Sequence, residues 1–406
     1  ISVDAFNYAP NLRIFHYFLT HFHADHYMGI CKSWANGLLY CSEITDRLVR
    51  LRYPTMDHTI LRPLPMNKKI ELILPDGSFN VTLIDANHCP GAVLFLFEYT
   101  RKEGSTLRML HCGDFRVCKE MIENKLLANT KIDKCYLDTT FLNPLYCFPK
   151  QKHAISVTCE FFENLCNQET YSRQLNFQKK ITDFFTQRSA PAPKSKYLVL
   201  IGTYTIGKER IAFEIARTLN SKVYADGPKR KVLDCLEDAE ILALVTDDPH
   251  ETFVHLVSMS QFKNLDVYFK NYASKYEKAV VVRPTGWSFS ADPVTHSVDT
   301  PTRKGLAKMS KAQILNNILY QQKLDQQFTL EKLESQFFKR NSPTLIFLQI
   351  PYSEHSSFKE LAFFSILLDI GQTLPTVNLH SLDSIREMNE WIKEWEAFRA
   401  RNGRTE

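Results

Sequence analysis

Thr20-His21-Phe22-His23-Ala24-Asp25-His26 puts three imidazoles and one carboxylate into seven residues. Neutral imidazole and carboxylate are ligands that suit zinc and its borderline neighbours. The apolar run 15–19 before the cluster reads as a buried strand, and 27–34 after it as a short helix. In extended chain, residues two apart share a side, so His21 and His23 can aim at one point. Asp25 and His26 then face a second point nearby. The plainer reading is a surface loop that happens to be polar; the density of ligand atoms argues against it.

Three further candidates lie downstream, each at the end of a strand-like run. His88 follows Val81–Ile84 in Asp85-Ala-Asn-His-Cys-Pro-Gly91, a turn whose Pro90 and Gly91 restrict the backbone. Asp114 follows Leu107–Leu110 in His111-Cys-Gly-Asp-Phe-Arg116, and His355 follows the late run 344–350 in Pro351-Tyr-Ser-Glu-His-Ser-Ser357. Alone, each is explained by a capped turn, a helix N-terminal acid or a polar loop. Together they complete the requirement of two metal ions. One ion takes His21, His23, His88 and Asp114; the other takes Asp25, His26, Asp114 and His355. Two ions ~3.5–4 Å apart activate water near neutral pH and stabilise the oxygens of an in-line displacement, chemistry suited to a phosphodiester. His255 competes with His355 on composition, but it sits between Val254 and Leu256 and reads as a core or groove histidine.

At 406 residues, with 44% hydrophobic and 23% charged residues, the chain has the length of two domains and the composition of a soluble protein. No apolar run approaches the ~18 residues of a membrane span. A net charge of +5 permits a polyanionic partner without requiring one. The ten cysteines show no C-x-x-C pair and several sit among apolar residues, which predicts reduced thiols in an intracellular protein and argues against a zinc finger. No signal peptide opens the chain, and residue 1 falls in a strand-like stretch, so targeting signals can have been lost with the natural N-terminus.

Residues 1 to about 150 alternate short apolar runs (70–74, 81–84, 92–99, 107–110, 135–137) with polar turns, a strand-rich half with few long helical periods. From 152 the rhythm changes: a helix over 153–166, a linker at 189–195, a strand over 197–201, a helix over 208–219, and strands at 223–224, 241–245 and 279–282. That alternation predicts an α/β domain with a mostly parallel sheet. The segment 288–340 reads as an insertion on it, 344–350 as a buried strand, and 384–400 as a closing amphipathic helix.

His21-x-His23-x-Asp25-His26, with His88 and Asp114, resembles the metallo-β-lactamase signature over the first third of the chain. Leu137-Asp-Thr-Thr-Phe141 resembles the acidic motif that opens the β-CASP insertion of nucleic-acid-processing members, and Tyr352-Ser-Glu-His-Ser-Ser357 the histidine motif that follows it. Pro375-Thr-Val-Asn378 resembles the final motif, where the DNA-acting branch carries valine and the RNA-processing branch typically histidine; here it is Val377. Asn87-His-Cys-Pro-Gly-Ala92 and Gly202-Thr-Tyr-Thr-Ile-Gly-Lys-Glu209 narrow the resemblance to the DNA interstrand cross-link repair nucleases, relatives of Artemis and Apollo. It spans nearly the whole chain except 167–195 and 288–340.

The resemblance implies an α/β fold: a metallo-β-lactamase αββα sandwich from 1–151 and 342–406, with an inserted α/β β-CASP domain over 152–341. It implies a metal-dependent 5′-to-3′ exonuclease on 5′-phosphorylated DNA, single strands preferred, in interstrand cross-link repair in the nucleus. DNA-repair proteins are the expected partners, a monomer the expected state, and no membrane is involved. His21, His23, Asp25, His26, His88, Asp114 and His355 would be ligands of one or two Zn2+, with Mg2+, Mn2+ or Fe admitted at the second site. Asp25, Asp114 and Asp138 would be the catalytic acids, Asp138 by orienting His355 or its ion. Asp4 resembles the first acidic motif, which braces the histidine loop without binding metal. Two alternatives stay open: an RNA-processing endonuclease of the same architecture, and a catalytically silent scaffold that binds DNA or protein.

Gly202-x4-Gly207-Lys208 fits the phosphate-loop pattern after a strand, but Glu209 stands where serine or threonine would hold magnesium, and a carboxylate there repels triphosphate. Backbone N–H groups at a helix N-terminus plus a cation still make an anion site. Lys208, Thr203, Thr140 and Ser353 are the candidates for gripping a 5′-phosphate; the alternative is a plain strand–helix turn with Lys208 solvated. Arg47, Arg50, Arg52, Lys229, Arg230 and Lys231 could track phosphates or simply be solvated surface. Arg116 could be structural or touch DNA.

Overall fold

A computed structural model describes residues 1–74, 77–101, 103–166, 196–286, 308–321, 328–339 and 343–403. They form two compact units, one from the described residues of 1–147, 289–322 and 354–406, the other from those of 148–288 and 323–353.

In the first unit, β1 (Ser2–Val3), β2 (His16–Phe18), β3 (Leu38–Ser42) and β4 (Leu61–Leu64) make a parallel sheet in that order. A second sheet begins as an antiparallel meander of β5 (Ile70–Leu74), β6 (Gly77–Asp85), β7 (Val93–Thr100) and β8 (Thr106–His111). It ends with β9 (Ile132–Leu137) and the Ile370–Pro375 strand, both added in parallel. Alternate residues of a strand share a face. Phe79, Val81 and Leu83 of β6, with Val93, Phe95 and Phe97 of β7, therefore meet Phe18, Tyr40 and Leu64 of the first sheet in one buried core. The Phe18 ring lies 4.9 Å from both Tyr40 and Phe97, and each fully buried ring of this kind contributes about 1.5–3 kcal/mol.

Helices cover the outer faces. The Glu43–Arg52 helix lies on β3 and β4; Ser42 caps it by accepting from the Thr45 N–H, and acids open it while Arg50 and Arg52 close it. On the other side the Phe358–Leu367 and Leu382–Asn402 helices pack together, with Trp391 and Trp395 4.9 and 5.6 Å from the Phe358 ring. Arg399 donates to the carbonyls of Ser365, Leu368 and Ile370, closing the last turn of the first of these helices. This αββα layering is the α/β architecture expected from the sequence.

The second unit has one parallel sheet, in the order β12-β11-β13-β10-β14-β15. Its strands are β10 (Tyr197–Thr203), β11 (Val223–Tyr224), β12 (Val245–Thr246), β13 (Val254–Ser258), β14 (Lys278–Pro284) and β15 (Leu345–Ile350). The central strands are nearly unbroken apolar runs, as a sheet covered on both faces requires.

Several expectations need correcting. Residues 27–34 form turns, closed by Ile30 N–H on the Tyr27 carbonyl and Trp34 N–H on that of Cys31, because Trp34 turns inward against Phe6 and Tyr17. Residues 239–244 are helical, capped by the Asp238 carboxylate, and only Val245–Thr246 is strand. The Leu345–Ile350 strand, expected with the closing part of the first domain, hydrogen-bonds along β14 in the second unit's sheet. Conversely, the Lys311–Asn316 helix, expected as an addition to the second domain, packs in the first unit. Lys311 pairs with Glu390 at 3.3 Å and lies over the Trp391 ring at 4.4 Å. The expected linker at 189–195, with 167–195 and 288–307, lies outside the described residues. No described helix is long and apolar enough to cross a membrane.

Gly91 ties the two sheets together at the end that carries the ligands. Its carbonyl accepts from the Ser42 and Thr45 hydroxyls at 2.6 and 3.2 Å, its φ is +83°, and a Cβ there would meet the Ile44 Cβ at 2.8 Å. Gly91→Ala is therefore expected to lower unfolding free energy by about 1–3 kcal/mol. Gly227→Ala, where a Cβ meets nothing within 4 Å, should stay within about 0.5 kcal/mol. Denaturant titration of both variants checks the contrast.

Candidate metal centre

The histidine loop leaves β2, His88 leaves β6, Asp114 leaves β8 and Asp138 leaves β9, and β6, β8 and β9 all run in one direction. Their loops therefore open on one edge of the first unit. His355 joins them from the turn before the Phe358–Leu367 helix, whose N-cap is Ser357.

One oxygen is the focus. Asp114 Oδ2 lies 3.2 Å from His26 Nε2, 3.7 Å from His21 Nε2, and 3.9 Å from both His88 Nε2 and His355 Nε2. His23 joins through Nδ1, 3.1 Å from His88 Nε2. Asp25, largely exposed, has Oδ2 3.7 Å from His26 Nε2. The ligand atoms gather as His21, His23, His88 and Asp114; as Asp25, His26 and Asp114; and as Asp114, Asp138 and His355, each group within 4.8 Å. The first group is the set expected for one ion; the second lacks His355, which was expected with Asp25 and His26 and here gathers with Asp114 and Asp138.

Four of the imidazoles are held from behind. His26 Nδ1 donates to Asp4 Oδ2 at 2.7 Å, His88 Nδ1 to the Glu354 carbonyl at 2.8 Å, and His355 Nδ1 to Asp138 Oδ2 at 2.9 Å. His21 Nδ1 donates to the Thr20 hydroxyl at 3.0 Å, which itself donates to Asp4 Oδ2 at 2.6 Å. Each bond holds a proton on Nδ1, so that the neutral ring turns its Nε2 lone pair toward Asp114. Asp4 thus braces the loop three times, accepting also from the Thr20 N–H, and its own atoms stay behind the ligands. Thr20 and Glu354 were missed as site residues; only their adjacency to His21 and His355 could have flagged them.

The acid side is braced as well. Asp138 Oδ1 accepts from the N–H and hydroxyl of Thr140 at 2.9 and 2.6 Å. The Pro375–Asn378 stretch then locks this turn: Thr376 donates to the Leu137 carbonyl, and Asn378 Nδ2 to those of Thr139 and Thr140.

Burial and neighbouring charges pull the imidazoles of the cluster in opposite directions. Burial, helped by neighbouring imidazoles, pushes His21 and His88 well below the usual histidine range. For His26 burial is outweighed by Asp114 and Asp4, and its pKa rises well above normal. For His355 burial is outweighed by Asp138 and Asp114, which lift it to about 9. Burial likewise fails to raise Asp114, because His355 and His26 hold it well below the usual carboxylate range. His21 Nε2 is buried with no hydrogen-bond partner, an arrangement that costs about 1–3 kcal/mol unless something binds it. A divalent cation fits that orphaned lone pair and the donor set around it.

The candidate phosphate contacts are less uniform. The Gly207 N–H donates to both oxygens of Glu209 at 2.9 Å, and Lys229 pairs with that carboxylate and with the Tyr204 and Thr205 carbonyls. The loop's anion niche is thus filled by its own acid. Lys208 Nζ donates to the Pro284 carbonyl at 2.8 Å and lies 4.3 Å over the Tyr204 ring. It spans the C-terminal ends of β10 and β14, neighbours whose connections leave in opposite directions, the crevice where such sheets bind ligands. Thr203 and Ser353 are buried at strand ends of the same unit; Thr140, in the first unit, has its hydroxyl proton committed to Asp138.

Three of the other basic candidates are held in ion pairs. Arg116 is buried and donates to Glu360 through Nε and Nη2, at 3.2 and 3.0 Å; Arg50 and Arg230 pair with Asp46 and Asp234 one turn away. His255 is a core residue of the second unit, bonded to the Tyr268 hydroxyl and the Pro249 carbonyl, with burial pushing it down to about 4.

The family model described as DNA repair metallo-beta-lactamase matches residues 239–381. The chain is 34% identical over 404 residues to the "DNA cross-link repair protein pso2/snm1" of Schizosaccharomyces pombe, covering 99% of this chain and 64% of that protein. It is 32% identical to the "DNA cross-link repair protein SNM1" of Arabidopsis thaliana, covering 97% and 67%. It is 30% identical over 289 residues to the "5' exonuclease Apollo" of Danio rerio, covering 70% and 43%. The chain thus spans about two thirds of the length of the first two.

The brace behind the histidines makes a prediction separate from any activity. Asp4→Ala, which frees Thr20 and His26 at once, should weaken divalent-ion binding by about 10- to 100-fold. Chelator-competition titration measures it, with circular dichroism confirming that the fold persists.

Proposed function

From the premise that the chain belongs to the DNA cross-link repair SNM1 family of metallo-β-lactamases, we propose that it is a metal-dependent 5′-to-3′ exonuclease on 5′-phosphorylated DNA, acting in interstrand cross-link repair in the nucleus. The observation that carries this reading is the single carboxylate oxygen of Asp114 facing four Nε2 atoms, with His21 Nε2 buried and unpartnered among them. His21, His23, His88 and Asp114 would hold one ion, and Asp25, His26, Asp114 and His355 a second. Zinc suits the first set, and Zn2+, Mg2+, Mn2+ or Fe the second. The bound ions would supply Lewis acidity to the scissile phosphodiester and lower the pKa of the attacking water.

The chain's own groups do the rest. Asp114 keeps negative charge between the histidines and sets the spacing of the two ligand groups. Asp138 holds the His355 ring so that Nε2 faces inward. Asp25, open to solvent beside His26, would steer the attacking water as well as hold the second ion. Lys208, at the crevice of the second unit's sheet, supplies a point charge for a terminal phosphate, with Thr203 and Ser353 as hydroxyl donors. Such contacts would make cleavage depend on the 5′-phosphate. We assign the first unit as the metallo-β-lactamase domain, the second as the β-CASP domain, and the working form as a monomer on single-stranded DNA.

The reading is tested with 5′-phosphorylated single-stranded DNA, its 5′-hydroxyl counterpart and RNA of the same sequence. Stepwise loss of 5′ nucleotides from the first substrate is expected. It should stop on removal of divalent ions, and fall at least about 100-fold in Asp114→Ala and Asp25→Ala. Equal rates in parent and variants would sink the mechanism; equal rates on phosphate and hydroxyl ends would remove Lys208 from it; internal cutting of RNA would favour the endonuclease reading.

A further inference from the structure

The residue after His26 begins a row of aromatic rings that the metal site does not use. Tyr27, half-buried, stacks on the buried Phe22 ring at 4.6 Å and 24°. Its other neighbour is Tyr53, also half-buried, edge-on at 6.5 Å and 84°. The exposed Arg52 guanidinium lies 5.5 Å over the Tyr53 ring. All four residues belong to the first unit.

The row is built to stay in place. Tyr27 N–H bonds back to the His23 carbonyl at 3.1 Å, fixing it against the histidine loop. Tyr53 closes the Glu43–Arg52 helix through its N–H to Val49, and His58 donates to its carbonyl. Among the cations proposed from sequence, Lys229, Arg50, Arg116 and Arg230 sit in ion pairs with carboxylates. Arg52 instead ends its helix exposed, with an aromatic face beneath it.

Resting on the nuclease reading above, we propose that Tyr27, Tyr53 and Arg52 form a stacking ledge for unpaired nucleotides of the DNA strand held at the metal centre. The rings would receive the bases and Arg52 a backbone phosphate. Every base has a π-face, so aromatic stacking holds a single strand without reading its sequence, and a neighbouring arginine adds charge and further stacking. Rings already fixed by Phe22 and by the helix end lose little freedom on binding.

The test uses the ion-loaded protein with phosphorothioate-linked single-stranded DNA that resists cleavage, carrying 2-aminopurine at successive positions. Quenching is expected at one or two adjacent positions, lost in Tyr53→Ala and retained in Tyr53→Phe. Tyr53→Ala should weaken binding about ten-fold, and Arg52→Ala should lower the slope of log affinity against log salt by about one. Unchanged quenching and affinity in both alanine variants, or no binding of single strands by the parent, overturns the ledge. Binding and quenching as expected with no cleavage of ordinary DNA would leave the ledge standing and sink the nuclease reading alone.

Discussion

A carboxylate oxygen within 4 Å of four imidazole nitrogens, as Asp114 Oδ2 is, is the constraint on which the first unit is arranged. Groups this close repel or pair according to where their protons sit, so the surroundings must set each proton. Asp4, Asp138, Thr20 and the Glu354 carbonyl do so by taking the Nδ1 protons away from the centre. The backbone of Asp114 is set as firmly: Gly113 at φ +54° lets the turn pass where a Cβ would lie 2.7 Å from Thr20, and its N–H bonds to His111 Nδ1. Ligands and braces are therefore one network, in which Thr20 both supports His21 and touches the turn of Asp114.

That network explains why the ligands can lie hundreds of residues apart. His88 and Glu354 are joined across 266 positions, and Asp138 and His355 across 217. Strand ends supply the common edge, and the core between the sheets keeps that edge from shifting. Val377 and Asn378, 238 and 239 positions along the chain from Thr139, act by pinning the Thr139–Thr140 turn that orients Asp138.

How much was legible follows from the range of the forces involved. The clustering of candidate ligands was readable because His21, His23 and Asp25 advertise their chemistry locally, and most strands of the first unit were readable from short apolar runs bounded by polar turns. The Glu43–Arg52 helix was overlooked because its short amphipathic stripe lies among charges, although Ser42 is a capping residue. Residues 239–244 looked like a strand because an apolar run alone does not distinguish the two; the Asp238 cap decided for helix. The unit boundary was misplaced because 345–350 is an equally good strand for either sheet, and only the free edge of β14 determines its home. Phosphate-loop spacing was legible; that Glu209 turns back into the loop was not, since it depends on Lys229 arriving from another helix.

The same pairing changes how the modest positive charge must be understood. Glu209, Asp46, Glu360 and Asp234 take up Lys229, Arg50, Arg116 and Arg230 within the protein. A formal net charge of +5 therefore overstates neither the attraction nor the number of sites; it leaves both undefined. Contacts with a polyanion must come from specific cations, and counterion release scales with the number of phosphates actually neutralised. Where such contacts are few, affinity for a single strand has to draw on base stacking, which salt weakens far less. Under the proposed reading, the rings of Tyr27 and Tyr53 would then matter more to capture of a single strand than the overall charge.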